Sequence, residues 1–439
     1  MQSNIHSVSL EVDKCKGCTH CLKRCPTEAI RIRDGHAVII TERCIDCGEC
    51  IRLCPYKAKK ATYDKLEQFD HFKYKIAIPA PALYGQFVNL DDIDYVLTGL
   101  LHCGFDDVFE VSRAAELVSD YTRYYLHDPH IQKPVISSAC PVIIRLIAAR
   151  FPYLLDNLLP MLPPVELAAR IAKKEAKEKH PELKDEDICA IFISPCPAKV
   201  SYVKSPIGVE KSAIDGALSM SDIYFKLVSA MKKIKNPESL SKSGVIGVSW
   251  AGAGGESSAL FNDKYLAADG IENCIEVLDQ IENDNFSDLE FIELNACHGG
   301  CVGGALTVEN AYIAKARLQS LRRYLPVSQN RVPPPEKDGR EGVPEEFFWS
   351  SAPEYRPVTM LAGDKSAAMK KMMDIERLTE MLSHLDCGSC GAPTCRALAE
   401  DIVNGEASES DCIIKMRQQI HDLYAEHKTP ESDDAGQEG

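Results

Sequence analysis

No run of about eighteen apolar residues occurs in the 439 residues, so a helical membrane span is not expected. The opening stretch Gln2-Ser3-Asn4-Ile5-His6 lacks a basic patch followed by an apolar one, so no signal peptide is expected and a cytoplasmic protein is. A basic excess is missing too. Lys and Arg number 50 against 65 Asp and Glu, a net charge of −15, which disfavours nucleic acid as the main partner. Nor is this a disulfide scaffold, because 19 cysteines in 439 residues fall well below the ~8–10% density of that class. The length suits about three domains, large enough to bury cores without covalent staples. In a reducing compartment, thiols bind metal or do chemistry more often than they pair.

The cysteines that are present fall into clusters. Cys15, Cys18, Cys21 and Cys25 form C-x2-C-x2-C-x3-C, followed by Pro26. Cys44, Cys47, Cys50 and Cys54 repeat the pattern, followed by Pro55. This is the two-cluster bacterial ferredoxin run, in which the fourth cysteine of each run ligates the other cluster. One [4Fe-4S] cluster is therefore expected on Cys15, Cys18, Cys21 and Cys54, and a second on Cys44, Cys47, Cys50 and Cys25. Two zinc knuckles are the plain alternative, since C-x2-C pairs also bind zinc. Residues 1–62 resemble a ferredoxin domain of α+β type, an electron relay rather than the seat of chemistry.

A third group, Cys387, Cys390, Cys395 and Cys412, follows C-x2-C-x4-C-x16-C. The segment 387–395 is turn-rich and Arg396 to Val403 reads as helix. Residues 366–424 are expected to form a small domain. It resembles the four-cysteine iron–sulfur domain of several anaerobic redox enzymes, which carries one [4Fe-4S] cluster. Zinc is again the alternative.

Between these modules the cysteines are sparse. Cys103, Cys189 and Cys274 sit in apolar patterns and read as small buried hydrophobes. Four others share one setting. Pro134–Ser138, Ile188–Ile193 and Phe291–Leu294 read as buried strands, each followed at once by cysteine: Cys140, Cys196, and the pair Cys297 and Cys301. Ligands of open α/β sheets bind at the carboxyl ends of strands. Helical stretches at 166–179 and 221–233 separate the strands, so mostly parallel sheets flanked by helices are expected. The segment Trp250-Ala251-Gly252-Ala253-Gly254-Gly255-Glu256 lacks the full G-x-G-x-x-G spacing of a phosphate loop.

Residues 72–330 resemble the catalytic domain of [FeFe]-hydrogenases. Ser137-Ser138-Ala139-Cys140-Pro141, Ser194-Pro195-Cys196-Pro197-Ala198-Lys199 and the run from Glu293 to Gly304 are similar to that family's three ligand loops. Ala80-Pro81-Ala82 and the glycine-rich run 250–256 are similar to two further segments. The resemblance implies an H-cluster: a [4Fe-4S] cubane on Cys140, Cys196, Cys297 and Cys301, with Cys301 bridging to a two-iron subsite that carries CO, CN⁻ and an azadithiolate. It implies that Lys199 donates a charge-assisted hydrogen bond to a cyanide, with Pro81 and Ala82 beside the other. With the three modules above, four cubanes are expected in all.

The sequence also departs from the family's pattern. Efficient members have a second cysteine where Ala139 stands, and it relays protons. A methyl group cannot, since proton transfer needs donor and acceptor within about 2.6–3.2 Å or one water between them. Around Val118–Thr122 no matching acidic pair is found, and Asp120 is the nearest acid. Ser194 and Asn295 replace methionines, Tyr202 replaces a glutamate, and His298 stands where a proline is usual. These changes are expected to put polar groups near the cofactor and retune it. The pattern resembles the sensory members (group C/D-like). It implies slow, reversible H2 oxidation and proton reduction that senses H2 or redox state. The alternative is a non-catalytic electron-transfer or scaffold protein without the diiron subsite. The expected partners are H2 and protons, the diiron-site maturation proteins and a redox or signalling protein, and a homodimer is allowed. Residues 1–60 carry eleven Lys/Arg against seven Asp/Glu, which suits an acidic partner. Residues 331–365 read as a Pro- and charge-rich linker, and 425–439 as a disordered acidic tail.

Overall fold

A computed structural model of the chain describes residues 6–358, 361 and 363–426. The expected acidic tail lies outside the described residues except for its first two positions, which end the helix Ile413–Glu426. The chain forms two units. One takes in the residues up to Ser9 together with Cys44–Arg52 and Lys59–Pro357. The other takes in Leu10–Arg43, Leu53–Ala58 and the residues from Val358 on. The division cuts across 1–62, so Cys44, Cys47 and Cys50 belong to the first unit, while Cys15, Cys18, Cys21, Cys25 and Cys54 belong to the second.

The first unit is built on two wholly parallel sheets. Their strands in chain order are β1 (Tyr74–Pro79), β2 (Asp107–Val108), β3 (Val135–Ile136), β4 (Ile188–Ser194), β5 (Gly216–Ser219), β6 (Tyr265–Asp269) and β7 (Phe291–Asn295). One sheet has the order β2-β1-β4-β5, the other β6-β7-β3. Every residue of β4 is buried, as its unbroken Ile-Cys-Ala-Ile-Phe-Ile run requires of a strand covered on both faces. Covering helices include Val111–Leu126 and Pro164–Lys179, joined by an Arg113–Glu175 ion pair at 2.9 Å. Proline begins the helices that follow β3 and β4, at Pro141 and Pro197. There its missing N–H costs nothing, and its fixed φ suits the first turn. Cys140 and Cys196 thereby become the residues from which these helices start.

The linker expected at 331–365 is held down over its middle. Gly339–Gly342 and Glu345–Phe347 form 3-10 turns, and Phe347 and Phe348 are buried. Leu162 N donates to Phe347 O at 2.8 Å, Trp349 N to Pro160 O at 3.0 Å, and the Phe347 ring lies 4.5 Å from that of Tyr121. The prolines and charges dominate the composition of this stretch, but three consecutive aromatics supply the burial that anchors it.

The second unit holds an antiparallel hairpin, Ile30–Arg33 with His36–Ile39, and helices Lys365–Met381, Cys395–Val403 and Ile413–Glu426. A small core forms around Ile375, Leu382, Ala397, Leu398 and Ala399. Buried Asp401 accepts from Arg31 Nε at 2.7 Å and from Arg33 Nη2 at 2.5 Å. Among the described residues, no helix is long and apolar enough to cross a membrane.

Candidate active site

The carboxyl ends of β1 and β4 in one sheet, and of β3 and β7 in the other, open onto one cavity of about 100 Å3. Cys140, Cys196, Cys297 and Cys301 all line it, with Lys199, Ala139, Pro81 and Asn295. Three loops from different strands thus bring the four expected cysteines together. Their approach is close because glycines face them. A Cβ on Gly300 would lie 2.4 Å from Ala253 N, and one on Gly304 would lie 2.1 Å from Pro195 O. Ala253 N donates to Gly299 O at 3.1 Å and Val302 N to Ala251 O at 3.0 Å, so the glycine-rich run 250–256 is a cradle for the third ligand loop.

Burial governs the electrostatics. The Cys196 thiol is pushed up to about 12, first by burial and then by its neighbours Cys297 and Cys140. Cys301 is raised well above the ordinary thiol value, by burial and then by Cys196, Cys140 and Cys297. Cys297 is raised by burial, against a downward pull from Arg52. Cys196, Cys297 and Cys301 are thus costly as thiolates unless metal takes the charge. Among the described residues, the one group of three ligand-type side chains close enough to share a single ion is His6, Cys44 and Asp46. Arg145 lies 3.4 Å from that Asp46 carboxylate, which makes it a poor cation site. The cavity cysteines are thus spaced for a polynuclear cluster rather than one zinc ion, and the donor set fits an iron–sulfur cubane.

Lys199 is half-buried beside these sulfurs. Its Nζ donates to Ala139 O at 2.8 Å. Burial lowers its pKa, and the nearby Cys196, Cys301 and Cys140 raise it. An ammonium held here has further N–H donors for an anionic guest.

The remaining expected residues divide. Asn295 lines the cavity and donates to Glu293 Oε1 at 2.7 Å. Ser194, Ala82 and Tyr202 are buried but do not line it. Ser194 Oγ is turned to the ligand loop, donating to Cys196 O at 2.8 Å and accepting from Cys196 N at 3.2 Å. Ala82 O accepts from Gln86 Nε2 at 3.0 Å. Tyr202 OH donates to Ile207 O at 3.5 Å, with its ring 5.8 Å from Lys199 Nζ. His298 is a correction: it is exposed and does not face the cofactor side. Gly299 and Gly300, with φ of +79° and +87°, turn the chain there, and His298 packs over Gly270, where a Cβ would meet its ring at 2.4 Å.

The helix Val111–Leu126 also corrects the search for acids. Glu116 precedes the stretch considered and is buried, one turn from buried Asp120. Five donors occupy Glu116: Gly244 N, Ser328 Oγ, Gln329 N, and both Asn330 N and Nδ2, all within 2.9 Å. Asp120 accepts from Arg123 and from Val332 N. Both acids pin the chain segment beyond them.

Sequence reasoning passed over a second acidic pair on the cavity wall. Glu256 and Glu293 are buried and line the cavity. Ser137 Oγ donates to Glu256 Oε2 at 2.6 Å and accepts from Ala139 N at 3.2 Å. Glu293 accepts from Gly254 N, Ser257 N and Asn295. Burial raises the Glu256 carboxyl well above its usual range, and repulsion from Glu293 adds to this. Burial raises Glu293 too, with hydrogen bonds pulling it back. Burial and mutual repulsion thus both favour the protonated form within the pair. The one signal in the sequence was the acid closing a glycine run.

In the second unit, Ala37 N donates to Cys15 Sγ at 3.3 Å, Ala29 N to Cys25 Sγ at 3.2 Å and Ala58 N to Cys54 Sγ at 3.2 Å. Amide N–H to sulfur bonds of this kind tune iron–sulfur clusters. Cys387 is exposed, and the backbone N–H and hydroxyl of Ser389 hold its thiol below the ordinary value.

Comparison with known proteins bears on all of this. The family described as iron only hydrogenase large subunit, C-terminal domain, matches residues 73–261 and 229–305. The 4Fe-4S dicluster domain matches residues 7–55, and an Fe-S cluster family matches 382–414. No curated protein matches the chain. Among solved structures, it is similar to two variants of the [FeFe]-hydrogenase HydA1 from Chlamydomonas reinhardtii. The first is 16% identical, with 57% of this chain and 84% of that chain covered and a TM-score of 0.45. The second is 15% identical, with 59% and 86% covered and a TM-score of 0.46. A HydA(deltaEFG) structure concerned with stepwise H-cluster assembly is 15% identical, with 58% and 86% covered and a TM-score of 0.44. The dicluster and Fe-S matches assign iron–sulfur cofactors to the chain, and a hydrogenase-domain match over more than half of its length means that it belongs to the iron-only hydrogenase family.

Proposed function

We propose that the protein is a low-turnover [FeFe]-hydrogenase whose redox-dependent occupancy serves H2 or redox sensing. The observation that carries this is the largely apolar cavity on which Cys140, Cys196, Cys297, Cys301 and Lys199 converge, with Ala139 at its wall. A plain cubane needs the four thiolates but has no use for a half-buried lysine beside them. When bound, an H-cluster supplies the redox chemistry that interconverts H2 with protons and electrons.

This chain's own residues do the rest. Cys140, Cys196, Cys297 and Cys301 would hold the cluster through their sulfurs. Lys199 orients an anionic ligand, and Ala80 and Pro81 close the wall. Ala139 offers no proton acceptor. The Ser137 hydroxyl and the Glu256 carboxyl, bonded at 2.6 Å, hold a proton on the same wall. They form a slower exit than a thiol placed beside the reacting group. The cysteines within residues 7–55 and 382–414 would hold further clusters, which would supply a path for electrons.

Infrared spectroscopy of the protein loaded with the diiron cofactor is the direct test. CO and CN⁻ bands are expected, and they should shift when H2 is admitted and return when it is removed. Absence of the bands, or bands indifferent to H2, sinks the reading. A scaffold protein without the diiron part would carry about sixteen irons rather than about eighteen.

A further inference from the structure

The cavity sulfurs are not all in the same electrical setting. Among the described residues, Cys297 alone of the four has a cation hydrogen-bonded to its sulfur: Arg52 Nη1 lies 3.3 Å from Cys297 Sγ and 3.3 Å from Gly303 O. The opposite edge of the guanidinium is clamped by Glu49, with Nη2 at 2.5 Å and Nε at 3.2 Å from Oε2. Glu49 and Arg52 begin and end one helical turn, where residues three apart face each other. Cys50, a ligand of the N-terminal dicluster run, lies in the same turn.

This turn cannot drift from the cavity. A Cβ on Gly48, whose φ is +73°, would lie 2.9 Å from the Ala305 side chain and 3.1 Å from that of Pro197. Arg52 is only 22% exposed at its side chain, so water screens its charge poorly. Reduction adds an electron to a cluster and makes it more negative. A fixed positive charge and an N–H donor on a ligand sulfur favour that reduced form and raise the potential.

We propose that Arg52 sets the reduction potential of the cavity cluster, by holding its guanidinium on the Cys297 sulfur from the turn that carries Cys50. Arg52 is a positioning and tuning residue, not a catalytic one. The inference rests on Cys140, Cys196, Cys297 and Cys301 holding an iron–sulfur cluster. Glu49 belongs to the device, because its carboxylate offsets part of the guanidinium charge while fixing the fork's direction.

The test uses the full chain reconstituted with iron and sulfide, the diiron part left out. Redox titration followed by electron paramagnetic resonance reads the potential, and loss of the signal in Cys196→Ala identifies the cavity cluster. Arg52→Met is expected to shift the equilibrium about tenfold toward the oxidised cluster, which is about 59 mV for a one-electron couple. Arg52→Lys should fall between, since it keeps the charge and loses the fork. Glu49→Gln should shift the equilibrium the other way, and it carries the test if Arg52→Met fails to load the cluster. Unchanged potentials in loaded Arg52→Met and Glu49→Gln overturn the proposal. Absence of the cavity signal from the unmodified protein overturns the cluster reading itself, and the proposal with it.

Discussion

Two cysteine groups of this chain meet the same demand in opposite settings. In the cavity, burial lifts Cys196, Cys297 and Cys301, and the sulfurs raise one another further. The C-terminal group is mixed: burial raises Cys390, and Cys395 and Cys412 are buried, whereas Cys387 is exposed and Ser389 lowers its thiol through hydrogen bonds. In the cavity the thiolate forms at a cost that metal relieves, whereas at the exposed Cys387 corner hydrogen bonds already favour the thiolate. In dry surroundings a single charge or proton matters greatly, because little water screens it. On the surface, loading is easier and tuning is weaker.

The largest contrast should come from removing one sulfur on each side. Cys301→Ser should lose the cavity cluster outright, about four irons per chain, while Cys387→Ser keeps much of its iron because solvent reaches that corner. Iron analysis of the two purified variants decides this, and equal losses would erase the distinction. Next is Asp401→Ala, which strands the Arg31 and Arg33 guanidinium groups around a buried site in the second unit. A cost of about 3–5 kcal/mol is expected for breaking a buried ion pair. Denaturant unfolding should show it as a weakened second unit, with cavity iron retained. Loss of both clusters together would mean that the two settings are not independent.

The smallest effects should come from Glu256→Gln, which leaves the ligands untouched. Hydrogen–deuterium exchange with H2 is expected to slow by about 10²-fold, and an unchanged rate removes Ser137 and Glu256 from the proton path. The same variant tests the dry wall through stability. Burial raises the Glu256 pKa above its unfolded value, so the native state binds a proton that the unfolded chain releases. Its contribution is fully present below the unfolded value of about 4.5 and is lost as pH climbs toward the raised one. Glu256→Gln should therefore gain roughly 1–3 °C in Tm over the unmodified protein at pH 8, and less at pH 6.

What the sequence disclosed follows from distance along the chain. The C-x2-C runs lie within single turns, so spacing alone puts their sulfurs side by side. Cys140, Cys196, Cys297 and Cys301 were legible because each follows an apolar strand, and parallel strands carry their ends to one edge. Glu256 and Glu293 were not. Residues 37 positions apart meet only because the glycine run folds over the third ligand loop beside β6 and β7. Arg52 was hidden inside a motif read for its cysteines. His298 was misplaced because neighbourhood in sequence was taken for neighbourhood in space, and two glycines of positive φ break that equivalence. Phe347 and Phe348 were overlooked because proline and charge dominate the composition around them.

Gly48 carries a last consequence. The empty place where its side chain would stand is filled by Ala305 and Pro197. In the wiring proposed above, that makes it a spacer between two electron stations. Electron transfer between fixed centres weakens steeply with each added ångström, so one methyl group at this position would act as a resistor. It would lengthen the jump without touching a ligand, a proton donor or a charge. The wiring of this protein thus depends on an atom it does not have.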